Sequence, residues 1–122
     1  MKRLIAFFEI PAADFRRAVK FYETVLDVTL AVCECEQEKM AFFPEEDGQA
    51  PGAISFAEGF KPANGGVLLS LQVEDMEATL DRVQQNGGKV TTPKTKIEAD
   101  CRGYFAVFTD SEGNSVGLYA DA

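Results

Sequence analysis

The stretch that decides the fold occurs twice. Residues 7–30 read FFEIPAADFRRAVKFYETVLDVTL, and the same order of features returns 61 residues later, at 68–91, as LLSLQVEDMEATLDRVQQNGGKVT. In each copy an alternating apolar segment leads to an aspartate, Asp14 or Asp75, and then to apolar residues at spacings of three and four. Alternation is typical of a half-buried strand, and the wider spacing is typical of an amphipathic helix. The repeat therefore predicts two strand–helix units, each with an aspartate that accepts hydrogen bonds from the first helical turn.

Short runs of strand-forming residues follow each predicted helix. The first copy continues with TLAVCECE, KMAFFP and GAISFAE, and the second with KVTTPKTKI, YFAVFT and SVGLYA. The segment at 59–66, GFKPANGG, is rich in turn residues and separates the copies. We therefore expect one α+β domain of two tandem βαβββ modules, with first strands at about 4–10 and 67–73. Module one spans 1–58, the linker 59–66 and module two 67–122.

Composition excludes several classes of protein. The chain has 122 residues, 46% of them hydrophobic, which suits one domain with its own core. Its 12 basic and 20 acidic residues give a net charge of −8, which repels nucleic acid and anionic lipid. No run approaches the roughly 18 apolar residues of a membrane span. The chain also lacks histidine, the commonest metal ligand and general base. We expect a cytoplasmic protein with no nucleic-acid or membrane partner and no histidine-dependent site.

The three cysteines do not form a disulfide framework, because their number is odd. Cys33 and Cys35 share one face of a predicted strand, which is the spacing of a soft-metal pair. Only Cys101 remains to complete such a site. We therefore expect no metal there and interpret the three as small buried or edge thiols, whose further role stays open.

Each predicted first strand has one uniformly apolar face and one mixed face. The uniform faces should carry the helices, and they consist of Leu4, Ala6, Phe8 and Ile10 in module one and Leu69, Leu71 and Val73 in module two. The opposite faces combine large apolar residues with Glu9, Ser70 and Gln72. A face of this kind suits either an exposed surface or a concave ligand cavity.

The chain resembles the vicinal oxygen chelate superfamily in three features taken together. These are the repeat, the stretch EIPAADFRRAVKFYE and the hairpin FAVFTDSEGNSVGLY. That superfamily includes glyoxalase I, bleomycin-resistance proteins and extradiol dioxygenases, and the resemblance covers essentially the whole chain. It is strongest for the branch of small single-domain proteins related to lactoylglutathione lyase. It implies a cupped mixed sheet, usually completed in a homodimer, with a ligand or a metal in the cup.

The resemblance also identifies the positions of metal ligands. In metal-dependent members these side chains lie on the first and last strands of each module and hold a divalent ion. The corresponding positions here are Phe7 and Leu68 on the first strands and Gly117 on the last strand, which the repeat offset carries to Phe56 in module one. None of the four has a metal-binding side chain. We therefore expect no cofactor.

The leading functional hypothesis is a metal-independent homodimer that binds or sequesters a small apolar or aromatic-containing molecule in the cup. Glu9 is the candidate general base if the protein is an enzyme. Two alternatives are a lyase, isomerase or dioxygenase-related enzyme of the lactoylglutathione-lyase type, and an accessory interaction domain. The residues expected to line the cup are Phe7, Glu9, Phe56, Leu68, Ser70, Gln72 and Tyr119.

Overall fold

The computed structural model describes residues 4–99 and 103–122, so Cys101 lies outside the described residues. It confirms the α+β class and the two βαβββ modules. Within the described ranges, no helix has the length and apolar character needed to cross a membrane. Module one consists of β1 (Phe8–Pro11), α1 (Phe15–Leu26), β2 (Ala31–Glu34), β3 (Glu38–Phe42) and β4 (Gly52–Ala57). Module two consists of β5 (Ser70–Gln72), α2 (Met76–Gln85), β6 (Lys89–Lys96), β7 (Tyr104–Thr109) and β8 (Ser115–Ala120).

The two four-stranded sheets share one topology. Their strand orders are β1-β4-β3-β2 and β5-β8-β7-β6, with the first strand parallel to the last in each module. Both first strands are shorter than predicted, because pairing begins only at Phe8 with Gly52 and at Ser70 with Gly117. Leu4, at 84% exposure, therefore lies outside the helix-covered face on which we expected it.

Each helix begins at the predicted aspartate. Asp14 Oδ1 accepts a hydrogen bond from the Arg17 backbone N–H at 3.2 Å, and Asp75 Oδ1 accepts one from the Ala78 N–H at 3.0 Å. The apolar stripes are also confirmed, and each large buried side chain contributes about 1.5–3 kcal/mol to stability. The buried helical residues are Phe15, Ala18, Phe21, Tyr22 and Val25 in α1 and Met76, Thr79, Leu80 and Val83 in α2.

One hydrophobic core joins the two modules. The Tyr22 ring meets Phe43 of module one edge-on at 6.0 Å, and the Phe21 ring lies 6.1 Å from Phe108 of module two. The two helices are also hydrogen-bonded to each other, since Arg82 Nε of α2 donates to the Val25 carbonyl of α1 at 2.9 Å. Helix α1 therefore packs against both modules.

A buried aspartate in the β7–β8 turn connects module two to module one. Asp110 Oδ2 accepts hydrogen bonds from the Tyr22 hydroxyl at 2.6 Å and from Asn114 Nδ2 at 3.0 Å. Asp110 Oδ1 accepts the backbone N–H groups of Glu112 and Asn114, both at 2.9 Å. Asn114 Nδ2 also donates to the Pro11 carbonyl at 2.8 Å. Burial, and then the Asp110 charge, raise the pKa of Tyr22 well above its usual value, so its hydroxyl remains a donor.

The same turn caps helix α1. Glu112 Oε1 accepts the backbone N–H groups of Ala13 at 2.9 Å and Asp14 at 2.7 Å, and Glu112 Oε2 accepts Arg17 Nε at 2.7 Å. Burial alone would raise the pKa of Glu112, but the hydrogen bonds from Arg17, the Asp14 N–H and the Ser111 hydroxyl lower it below its usual value. A negative charge is thus held at the positive end of the helix dipole.

Replacing Tyr22 with Phe tests how much the connection contributes. The substitution keeps the ring but removes one of the donors to the buried Asp110 carboxylate. We expect the free energy of unfolding to fall by about 1–2 kcal/mol, measured by urea denaturation. The matched control is Tyr104→Phe, because the cation–π contacts of that ring with Lys94 and Lys96 survive the change. Equal stability of the two variants would contradict the expected contribution.

Candidate functional site

The open face of module one is the side of its sheet that points away from α1. Ile10 pairs with Ile54 and both are buried on the helix side, so the neighbouring pair Glu9 and Ala53 points the other way. Ser55 lies on this same face, and its Oγ donates to Glu9 Oε1 at 2.8 Å. Ser55 is only 3% exposed, whereas Glu9 is exposed. A buried hydroxyl therefore orients the Glu9 carboxylate on the open face.

Two phenylalanines add an aromatic surface beside Glu9. Phe42 of β3 pairs with Ala53, which places it on the open face. Phe7 lies two residues before Glu9, and its ring centroid is 6.2 Å from that of Phe42. This separation is within the range of favourable aromatic contacts. Phe7 remains 37% exposed, so the open face of module one combines accessible aromatic surface with a carboxylate.

The open face of module two is built from β5 and β8. Ser70 pairs with Gly117 and Gln72 pairs with Tyr119, so the predicted residues share this face. The Tyr119 hydroxyl donates to Asp121 Oδ1 at 3.0 Å, and Gln72 Nε2 donates to Asp121 Oδ2 at 3.4 Å. Asp121 therefore orders the polar groups at this end of the face. Sequence reasoning missed it, although its position two residues after Tyr119 is the signal that would have identified it.

Phe56 does not lie on the open face, contrary to the prediction. It pairs with Lys39 and follows Ser55, so alternation points it to the helix side. Lys39 Nζ lies 5.6 Å from the Phe56 ring centroid. The Phe56 side chain therefore contacts Lys39 on the helix side of the sheet and does not line the open face.

The error has a simple cause in the lengths of the two modules. Gly117 follows its strand partner Ser70 by 47 residues, whereas Ala53 follows its partner Glu9 by 44 residues. The repeat offset of 61 holds for the first strands and the helix caps but not for the last strands. The structural counterpart of Gly117 is therefore Ala53.

The open faces do not fit a divalent metal ion. With Ala53 in place of Phe56, the positions at which the resemblance implies metal ligands are Phe7, Ala53, Leu68 and Gly117, and none offers a donor side chain. A Cβ atom at Gly117 would lie 2.5 Å from Ser70 Oγ and 3.5 Å from Leu68 Cδ2, so neighbouring side chains already occupy that corner. Over the described ranges, no three Cys, Asp or Glu side chains are grouped to hold a metal ion.

A groove of about 810 Å³ lies along the edge strand β5, between the two modules. Leu69 and Leu71 of the β5 segment form one wall, Phe8 and Phe43 belong to module one, and Arg82 of α2 adds a polar group. Ser70 and Gln72 reach this groove as well as the open face. No sequence pattern indicated it, because it arises from how the modules pack.

Comparisons with known proteins agree on one family. The family model described as Glyoxalase/Bleomycin resistance protein/Dioxygenase superfamily matches residues 4–118. A glyoxylase-like domain-containing protein of Didymella fabae is 31% identical over 115 residues, covering 88% of this chain and 85% of that protein.

Solved structures show the same fold at low sequence identity. A glyoxylase/bleomycin resistance protein/dioxygenase domain from Frankia sp. EAN1pec superposes with a TM-score of 0.75 at 15% identity, covering 100% of both chains. The V278E mutant of glyoxalase I from Zea mays superposes with a TM-score of 0.75 at 17% identity, covering 94% of this chain. The chain spans 45% of that maize protein, so the likeness concerns one part of it.

Proposed function

Because this chain belongs to the glyoxalase/bleomycin resistance protein/dioxygenase superfamily, we propose that it binds a small apolar or aromatic-containing molecule on its open faces without a divalent metal ion. The observation that carries the proposal is that Phe7, Ala53, Leu68 and Gly117, none with a metal-binding side chain, stand at the positions where the resemblance implies metal ligands. These positions offer a ligand apolar contact surface in place of ion-binding groups.

The surroundings of Phe7 favour an uncharged or weakly charged organic ligand. Burying the exposed part of the Phe7 ring, which lies at a tilted angle beside Phe42, contributes about 25 cal/mol for each Å² that a ligand covers. Glu9 provides a hydrogen-bond acceptor next to this surface, with its orientation held by Ser55. The net charge of −8 disfavours polyanionic ligands.

The proposal includes a second copy of this chain. Strands β1 and β5 lie at the edges of their sheets, and an edge strand presents backbone hydrogen-bonding groups to a neighbour. Pairing β1 of one copy with β5 of the other, about a two-fold axis, joins the open face of module one to that of module two. Residues that form two separate clusters in one chain then line one cup.

The metal independence is tested by thermal unfolding with Mn²⁺ or Mg²⁺, two hard cations that avoid cysteine thiols. A functional metal site at 100 times its Kd would add about 2.7 kcal/mol and raise the Tm by several degrees. We expect a change in Tm of less than about 1 °C with either ion. A Mn²⁺-dependent increase of several degrees would overturn the proposal.

The binding surface is tested with the uncharged apolar fluorescent probe N-phenyl-1-naphthylamine. We expect Phe7→Ala to weaken probe binding about 5- to 10-fold, because it removes the exposed ring of the open face. Phe60→Ala is the matched control, since Phe60 is 39% exposed in the linker and Phe7 is 37% exposed. The measurement is a fluorescence titration, with light scattering expected to give twice the chain mass of 13.3 kDa. Equal affinities of the two variants would exclude Phe7 from the site.

The Glu9–Ser55 hydrogen bond favours a second candidate function, proton transfer in a lyase or isomerase of the lactoylglutathione-lyase type. Glu9 would act as the general base on the open face. If the chain converts lactoylglutathione, we expect Glu9→Gln to lower kcat by about 10²-fold or more. Glu38→Gln, at another exposed strand carboxylate, should leave kcat unchanged. Turnover that is absent in the wild type, or unchanged in Glu9→Gln, would remove this candidate.

A further inference from the structure

The two cysteines of module one form an exposed dithiol at the outer edge of its sheet. Cys33 lies in β2, which ends the strand order, and Cys35 follows in the turn to β3. Both side chains are exposed, and their Sγ atoms are 4.0 Å apart. The Cys35 N–H donates to the Glu38 carbonyl at 2.9 Å, which continues the β2–β3 ladder through Cys35. The hairpin therefore holds the two thiols side by side.

We propose that Cys33 and Cys35 together bind a thiophilic cation as a bidentate dithiolate, with Cu(I) as the ion to test. Two thiolates that share a trigonal ion with a third ligand, with metal–sulfur bonds of about 2.3 Å and an angle of about 120° between them, stand about 4 Å apart. The observed Sγ separation of 4.0 Å already has this value. Binding releases one proton from each thiol and changes no oxidation state, since Cu(I) stays Cu(I).

The surroundings favour a soft ion of low coordination number. Met40 pairs directly with Cys33 on the facing strand and presents a thioether, a soft ligand, on the same face. Because no group of three Cys, Asp and Glu side chains is arranged for a metal in the described part of the chain, a tetrahedral ion such as Zn²⁺ lacks ligands here. The acidic chain, with its net charge of −8, attracts cations.

Two other roles for the pair fit the structure less well. Residues i and i+2 of an extended strand have Cα atoms about 6.6 Å apart, near the upper end of the range for disulfides. The hydrogen bond with Cys33, and then its charge, raise the pKa of the Cys35 thiol, which disfavours an isolated reactive thiolate. A cation bound between the two sulfurs uses the same proximity without requiring an S–S bond, and its charge supplies the free energy that removes the two protons.

The test is an anaerobic titration of the reduced 122-residue chain with Cu(I) in competition with the chromophore bicinchoninate. We expect one Cu(I) per chain, and we expect Cys33→Ser and Cys35→Ser each to weaken binding about 100-fold, because each leaves a single thiol. Cys101→Ser is the matched control that removes the third cysteine of the chain, and it should keep the wild-type affinity. Circular dichroism melting curves of all variants confirm that folding is unchanged.

Two results would overturn the proposal. One is wild-type affinity in Cys33→Ser or Cys35→Ser, and the other is a loss in Cys101→Ser as large as in those variants. The dithiol shares the open face of module one, because Cys33 pairs with Met40 and Met40 pairs with Ser55. It lies on β2, at the sheet edge opposite β1, so Phe7→Ala should keep its Cu(I). Failure of the copper experiment therefore leaves the proposed function untouched, and failure of the probe experiment leaves the dithiol untouched.

Discussion

The rest of the structure depends on the buried carboxylate of Asp110. Its two oxygens accept four hydrogen bonds, from Tyr22, from the Asn114 side chain and from two backbone N–H groups of its own turn. A buried charge is tolerated only when it is fully hydrogen-bonded, so these donors must be in place for the turn to pack. One of these donors belongs to α1 in module one and the others belong to module two. The Asp110 carboxylate therefore has all four hydrogen bonds only when the two modules are packed against each other.

The neighbours of Asp110 extend the same constraint to the first strand. The Asn114 side chain donates a hydrogen bond to the Pro11 carbonyl at the end of β1, and the Glu112 carboxylate accepts hydrogen bonds from the two backbone N–H groups that precede α1. The strand that carries Glu9 is thus positioned at its far end by residues about one hundred positions away. These connections involve the β7–β8 turn, the end of β1 and the start of α1, so substitutions on the mixed faces of the two sheets leave them in place.

Much of the fold was predictable from the sequence because its signals are local. The aspartate caps and the apolar helix stripes depend on residues within one or two turns, and the structure has them where the repeat predicts. Strand alternation alone predicted the sheet faces on which Glu9, Ser70 and Gln72 lie. The prediction failed at Phe56 because the repeat offset was carried past loops of unequal length, and one odd shift reverses the face of a strand residue.

The sequence by itself determined the α+β class, the two modules and the exclusion of histidine-dependent chemistry, since composition and short-range periodicity suffice for these. Only the tertiary structure decided that Ala53 is the counterpart of Gly117, that Ser55 donates to Glu9, and that Cys33 and Cys35 hold their sulfurs 4.0 Å apart. It also decided the groove between the modules. The reason is that strand register and inter-module packing are set by contacts between residues far apart in the chain, which no local pattern records.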